Sequence, residues 1–202
     1  MIEAAAIILA GGKSSRMGEN KALVRVTEYK MLEGIIQVLR PEFAEIILSA
    51  NDDCYAAFGL KTVQDSYKNR GPLSGIHAGL KASGFFTNFF AACDMPFTDV
   101  RLARYMAEIV PGFDAVVPKI GEYYQPLFAV YTRNCLQAIE KQLKAGRNKI
   151  TSFFGDVRIR FISIDEITKF GEPEKLFFNV NTPVDLHQAK VMAGREGNGP
   201  EV

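Results

Sequence analysis

Apolar residues along this chain fall into short, nearly unbroken blocks. AAAIILA (4–10), AEIILSA (44–50), LKTVQ (60–64), NFFAAC (88–93), DAVVPK (114–119), PLFAVY (126–131) and RIRFISI (158–164) have strand-like composition. Several lack the alternation of a half-solvated strand, which predicts strands buried on both faces. Between them the period lengthens. MLEGIIQVLR (31–40) places Leu32, Ile35, Ile36 and Leu39 on one helical face, and Pro41 ends it. SGIHAGLKAS follows the Gly71-Pro72 turn. TDVRLARYMAEIV (98–110) has Thr98 or Asp99 as its N-cap. RNCLQAIEKQLKAG ends at Gly146, a C-cap candidate. TPVDLHQAKVMA opens with Thr182 as N-cap and Pro183 at the first helical position.

Strands alternating with helices predict βαβ units and a mostly parallel sheet. The segment VPKIGEYYQPLFAVY departs from this. Only a short polar link containing Gly121 separates its two apolar runs, which suits a hairpin and predicts one antiparallel element. No internal repeat or low-complexity linker divides the 202 residues, and at about 150 residues per domain this predicts one domain, over 1–192. The glycine-rich, polar stretch 193–202 reads as a flexible tail.

Composition narrows the function. An apolar fraction of 48% and a charged fraction of 23% are those of an ordinary soluble protein. A net charge of +1 argues against a dedicated nucleic-acid binder. Cys54, Cys93 and Cys135 show no CxxC spacing, so neither a disulfide framework nor a zinc ribbon is expected. The first apolar run is too short to span a bilayer and has no basic segment before it. These features predict a cytoplasmic protein that engages no membrane.

Chemistry is concentrated where strands end. The loop GGKSSRMGENK (11–21) leaves the first strand with Gly11, Gly12 and Gly18 and the cations Lys13, Arg16 and Lys21. Glycines let backbone N–H groups approach an anion, and the cations offset its charge. A Walker loop ending in Gly12-Lys13-Ser14 requires a glycine at position 7, which is Ile7. The dinucleotide fingerprint requires GxGxxG, whereas these glycines are adjacent. A second cluster, DSYKNRGPLSGIHAGL, contributes Asp65, Gly71, Pro72, Gly75 and Gly79. Its glycines permit close approach by a flat ring, and Asp65 suits base N–H groups or ribose hydroxyls. Asp94, at the end of a hydrophobic strand in AACDMPFTD, is costly unless it meets a cation or solvent. It suits Mg²⁺, which takes one or two protein carboxylates and completes its shell with phosphate and water. Asp99 is better placed as a helix N-terminal residue. In NVNTPVDL, Asn179 and Asn181 flank Val180 and point the same way if the segment is extended, while Asn181 equally suits the turn opening the last helix. There is no GxSxG elbow. His77 and His187 lie in helical patterns without metal-ligand spacing, the first as a packing or hydrogen-bonded rim residue.

Taken in order, LAGGKSSRMGENKAL, SAN, QDSYKNRGPLSGI, CDMPF, QPLFAVY and NVNTPVDL closely resemble the molybdenum cofactor guanylyltransferase family, over nearly the whole chain. Related cytidylyl enzymes tend to read LAAG at the first loop and lack GPLxG at the second, so Gly11-Gly12 and the Gly71 to Gly75 segment point to guanine. The resemblance implies a Rossmann-like three-layer α/β/α sandwich with a mostly parallel mixed sheet. It implies transfer of GMP from GTP to the terminal phosphate of molybdopterin, with release of pyrophosphate. Leu9, Ala10, Gly11 and Gly12 would contact the nucleotide and Lys21 its phosphates. Asn51, Asp65, Gly71 and Gly75 would belong to the nucleotide site, and Asp94 would hold Mg²⁺. Arg16, Asn179 and Asn181 would lie near the reacting phosphate or the pterin. Molybdopterin-handling proteins and cofactor-receiving molybdoenzymes are the implied partners. Two positions depart from the family: Gln125 stands before Pro126 where histidine is common, and Lys149 where an arginine is found. A lysine does not reproduce the bidentate fork of arginine on a phosphate. The competing readings are another nucleotidyltransferase, of the molybdopterin cytidylyl or sugar-phosphate type, and a non-catalytic GTP or molybdopterin carrier.

Overall fold

A computed structural model describes residues 1–11 and 21–194. One eight-stranded mixed sheet organises the chain. Its strands are β1 (Ile2–Leu9), β2 (Phe43–Ser49), β3 (Lys61–Val63), β4 (Thr87–Ala92), β5 (Ala115–Ile120), β6 (Tyr123–Tyr124), β7 (Phe128–Thr132) and β8 (Ile159–Ile162). The helices are α1 (Met31–Leu39), α2 (Pro72–Ala82), α3 (Val100–Glu108), α4 (Cys135–Lys144), α5 (Ile164–Ile167), α6 (Pro173–Leu176) and α7 (Pro183–Gly194). The main path runs β3-β2-β1-β4-β7-β5, with β8 and the short β6 both pairing to β5. Strands β1, β2, β3 and β4 are mutually parallel, as are β5 and β8. Strand β7 runs against its neighbours β4 and β5, and β6 turns back on β5.

The uninterrupted apolar blocks are explained by burial on both faces. In β1, Ala4, Ala6 and Ile8 join the core beneath α1 and α3, while Ile7 and Leu9 join the core beneath α2 and α4. Strand β7, from the second apolar run, pairs antiparallel with β5 as the short polar link predicts, and the turn at Gly121, with φ +56°, also folds the link residues of β6 onto β5. Helix ends also follow local chemistry. Asp99 rather than Thr98 caps α3, accepting from the N–H groups of Arg101 (2.7 Å) and Leu102 (3.3 Å). Gly146, at φ +76°, follows α4; its N–H meets the Leu143 carbonyl and that of Arg147 meets Gln142, a Schellman pattern.

The last strand is markedly shorter than its apolar pattern predicts. The run 158–164 is not strand throughout: β8 stops at Ile162, and Ser163 with Glu166 forms a capping box that starts α5. The Ser-x-x-Glu spacing outweighs the apolar pattern there. Residues 195–202, most of the expected tail, lie outside the described residues.

Helix α2 is buried from Leu73 through Leu80 and lies directly on β1 because its glycines allow it. A Cβ on Gly79 would stand 2.7 Å from Ile7 Cγ2 and 3.1 Å from Phe90 Cε1. Gly79→Ala is therefore expected to destabilise the fold by about 1–3 kcal/mol, the usual cost of overpacking a dense core. Urea unfolding checks this; an unchanged midpoint would show that α2 can shift without penalty.

Candidate active site

In an open α/β sheet, ligands bind beyond the carboxyl ends of the strands. Here β1, β2, β3 and β4 end at one rim, and their register aligns the residues just beyond each strand. Ser49 pairs with Val63, so Asn51 and Asp65 each stand two residues beyond a matched pair. They close on each other: Asn51 Nδ2 donates to Asp65 Oδ2 and the Asp65 N–H donates to Asn51 Oδ1, both at 2.9 Å. Leu9 pairs with both Ser49 and Ala92, so Gly11 and Asp94 emerge side by side. Three strand spacings, about 14 Å, separate the ends of β3 and β4, a span suited to a nucleotide lying across the rim.

The α2 side of the rim is shaped by glycines. Gly71 has φ +64° and leads into Pro72 at the first turn of α2. A Cβ at Gly75 would come within 3.0 Å of Leu9 Cδ2 and Ser49 Oγ, so α2 approaches the strand ends as closely as the backbone permits. Ser49 Oγ donates to the Gly75 carbonyl at 3.3 Å and pins this approach.

The other side of the rim is charged. Lys21 Nζ donates to Asn181 Oδ1 at 2.6 Å. The Val180 N–H donates to the Asp94 carbonyl at 2.9 Å, drawing the 178–181 segment alongside the end of β4. Burial pushes the Asp94 carboxyl above its ordinary value, and the Lys21 ammonium pulls it part of the way back. Burial, with the Asp94 charge added, also pushes the Cys93 thiol up to about 12. Cys93 is thus held as an unreactive thiol.

Most residues singled out from sequence meet at this rim. Leu9 and Ala10 do so in a restricted way. The Leu9 carbonyl accepts from Cys93 N–H, and Ala10 N–H donates to the Ser49 carbonyl. Both groups extend the sheet ladder. Asn179 and Asn181 flank Val180 but do not share a partner: Asn179 Nδ2 donates back to the Phe177 carbonyl at 2.9 Å. Gln125 lies in the turn before β7, its N–H on the Pro118 carbonyl. Lys149 is exposed and directly precedes Ile150, which joins the core beneath α2 and α4. Gly12, Arg16 and Lys13 lie outside the described residues.

Asp185 was not anticipated as part of the site. Its Oδ2 accepts from the N–H groups of Asn181 (2.9 Å) and Thr182 (2.8 Å). These hydrogen bonds, the Asn181 one foremost, hold its carboxyl below the usual range, with a contribution from Lys21. Asp185 thereby fixes the backbone that presents Asn181 to Lys21. Its spacing three residues after Thr182 is the capping-box signal that marks it in the sequence.

A model of the MobA-like NTP transferase domain matches residues 6–158. A probable molybdenum cofactor guanylyltransferase of Pelotomaculum thermopropionicum is 44% identical, the match covering 98% of each chain. Another, from Carboxydothermus hydrogenoformans, is 35% identical over 90% of this chain and 92% of its own. Among solved structures, molybdopterin-guanine dinucleotide biosynthesis protein A of Archaeoglobus fulgidus superposes with a TM-score of 0.83 at 26% identity. That match covers 95% of this chain and 99% of the other.

Proposed function

Because the chain belongs to the MobA-like NTP transferase family, we propose that it transfers the GMP moiety of GTP to the terminal phosphate of molybdopterin. A phosphate oxygen of the acceptor attacks the α-phosphorus of GTP. The bond from that phosphorus to the bridging oxygen breaks, pyrophosphate leaves, and molybdopterin guanine dinucleotide forms. The observation that carries this reading is the convergence on one rim of the Asn51–Asp65 pair and the Lys21–Asn181 pair beside Asp94. The first suits the nucleoside and the second its phosphates. A phosphate monoester is already anionic near neutral pH, so the attacking group needs no strong base. Catalysis is then alignment and charge neutralisation. Lys21 contributes charge at the phosphates, Asn181 and Asp185 hold Lys21 in place, and Asp65 offers carboxylate oxygens to the N–H groups of guanine. Leu9, Ala10, Gly11 and Gly12 are assigned to the nucleotide, and Arg16 and Asn179 to the reacting phosphate or pterin.

Mg²⁺ belongs to the same proposal. Among the described residues no three His, Cys, Asp or Glu side chains gather to hold a resident metal. A single half-buried carboxylate beside a lysine fits an ion that arrives on the nucleotide's phosphates and completes its shell with them and with water. Asp94 is the residue assigned to it, and the ion would neutralise phosphate charge.

No helix among the described residues is long and apolar enough to cross a membrane. The three cysteines are free, which suits a reducing cytoplasm. There the product would pass to molybdopterin-handling proteins and molybdoenzymes.

The test is pyrophosphate release with molybdopterin present, comparing GTP, CTP and ATP with and without Mg²⁺. GTP is expected to exceed CTP and ATP in kcat/KM by about 10²-fold or more, since unmatched polar groups penalise the wrong base. Equal use of CTP would assign the chain to the cytidylyl type. GTP binding without Mg²⁺-dependent pyrophosphate release would make it a carrier.

A further inference from the structure

Helix α2 carries a buried histidine that the chemistry above does not use. His77 is 1% exposed. Its Nε2 lies 3.0 Å from Glu140 Oε1 on α4. Hydrogen bonding to His77 is the main cause that holds the Glu140 carboxyl below its ordinary range. An ionised carboxylate has no proton to give, so Nε2–H is the donor. Nδ1 is buried without a hydrogen-bond partner among the described residues, which leaves the Glu140 bond to orient the ring. The ring in turn meets Tyr67 edge to face, with centroids 5.3 Å apart and planes at 79°. Tyr67 belongs to the segment joining Asp65 to Gly71, where Asn69 and Gly71 both have positive φ, 60° and 64°. A longer contact runs the same way, from Arg70 Nη1 to the Gly146 carbonyl at 3.5 Å.

A polar pair of this kind is a poor choice for stability alone, because an apolar side chain of similar volume holds two helices together as well. What it supplies is direction. We infer that His77 is a positioning residue for the guanine nucleotide. Anchored by Glu140, its ring fixes Tyr67 and so holds Asp65 and Gly71 in the geometry that receives the ligand. This rests on the GTP reading above and deepens it, by making α4 a support for a loop it does not itself belong to.

Calorimetric titration of the full chain with Mg²⁺ and GTP, without acceptor, tests the inference. His77→Ala and Glu140→Ala are each expected to weaken GTP binding about ten-fold, a modest loss of alignment. KM for GTP should rise in parallel while kcat at saturating GTP stays within about twofold. Glu140→Gln keeps an oxygen acceptor for Nε2–H and is expected to restore binding. Glu140 is partly exposed, with 36% of its side chain accessible, so its variants do not depend on repacking a cavity. A lower melting temperature with unchanged GTP affinity in Glu140→Ala would reduce the pair to a structural contact and overturn the inference. A wild-type chain that binds no GTP would instead remove the GTP reading, and this inference with it.

Discussion

Replacing Asp94 with asparagine is expected to lower turnover about 10²-fold or more, the usual loss when one preorganised charge is removed, while raising thermal stability. The two effects have one cause. Burial raises the Asp94 carboxyl above its value in an unfolded chain, so the native state favours the protonated form. Stability from that preference is present below the unfolded pKa and is lost as pH rises through the folded one. At neutral pH the carboxylate is therefore a charge the fold holds at a cost, and asparagine relieves it. Pyrophosphate release and thermal melts at neutral pH check the pair of results. Wild-type turnover in the variant would remove Asp94 from the mechanism, and a lower melting temperature would contradict the assigned effect of burial.

Lys21→Met carries the second large effect, also a loss of about 10²-fold or more in turnover. Lys21 donates to Asn181 and counters the charge of Asp94. Its removal takes a cation from the phosphates, leaves the Asn181 amide oxygen without this donor and lets burial push Asp94 higher still. The residual activity should accordingly lose its acid limb at a higher pH than the wild type does. A pH profile of kcat/KM measures this. An unmoved acid limb would show that Lys21 and Asp94 do not sense each other, and near-wild-type turnover would place the phosphates elsewhere.

Much of this arrangement is legible in the sequence, for identifiable reasons. The strands buried on both faces, such as AAAIILA and NFFAAC, have no solvated side to blur their pattern. The reversed strand is signalled by a link around Gly121 too short for a crossover. Asp94 stands out because it follows an apolar strand directly. Other features depend on register, which composition does not encode. Asn51 and Asp65 become partners because Ser49 and Val63 pair in parallel two residues earlier. Asn179 and Asn181 share a spacing but not a partner, because the Phe177 carbonyl takes the first and Lys21 the second. In residues 158–164 the apolar pattern and the capping box give opposite answers, and the hydrogen bonds of the box end the strand.

The reversed strand β7 has a consequence for how the chain is made. Strands β1 to β4 are synthesised first and can pair as a parallel block, which already contains Asp65 and Asp94. Among the described residues, however, the outer edge of β4 is paired by β7, and α3, β5 and β6 emerge from the ribosome in between. At roughly 5–20 residues per second, the edge of TNFFAA stands open for seconds on every nascent chain, an apolar template for another molecule's strand. The order of the sheet therefore exposes this apolar edge during translation rather than after it. Premature termination between β4 and β7 would leave that edge permanently uncovered, so truncated chains should aggregate through β4 even though the parallel block itself is complete.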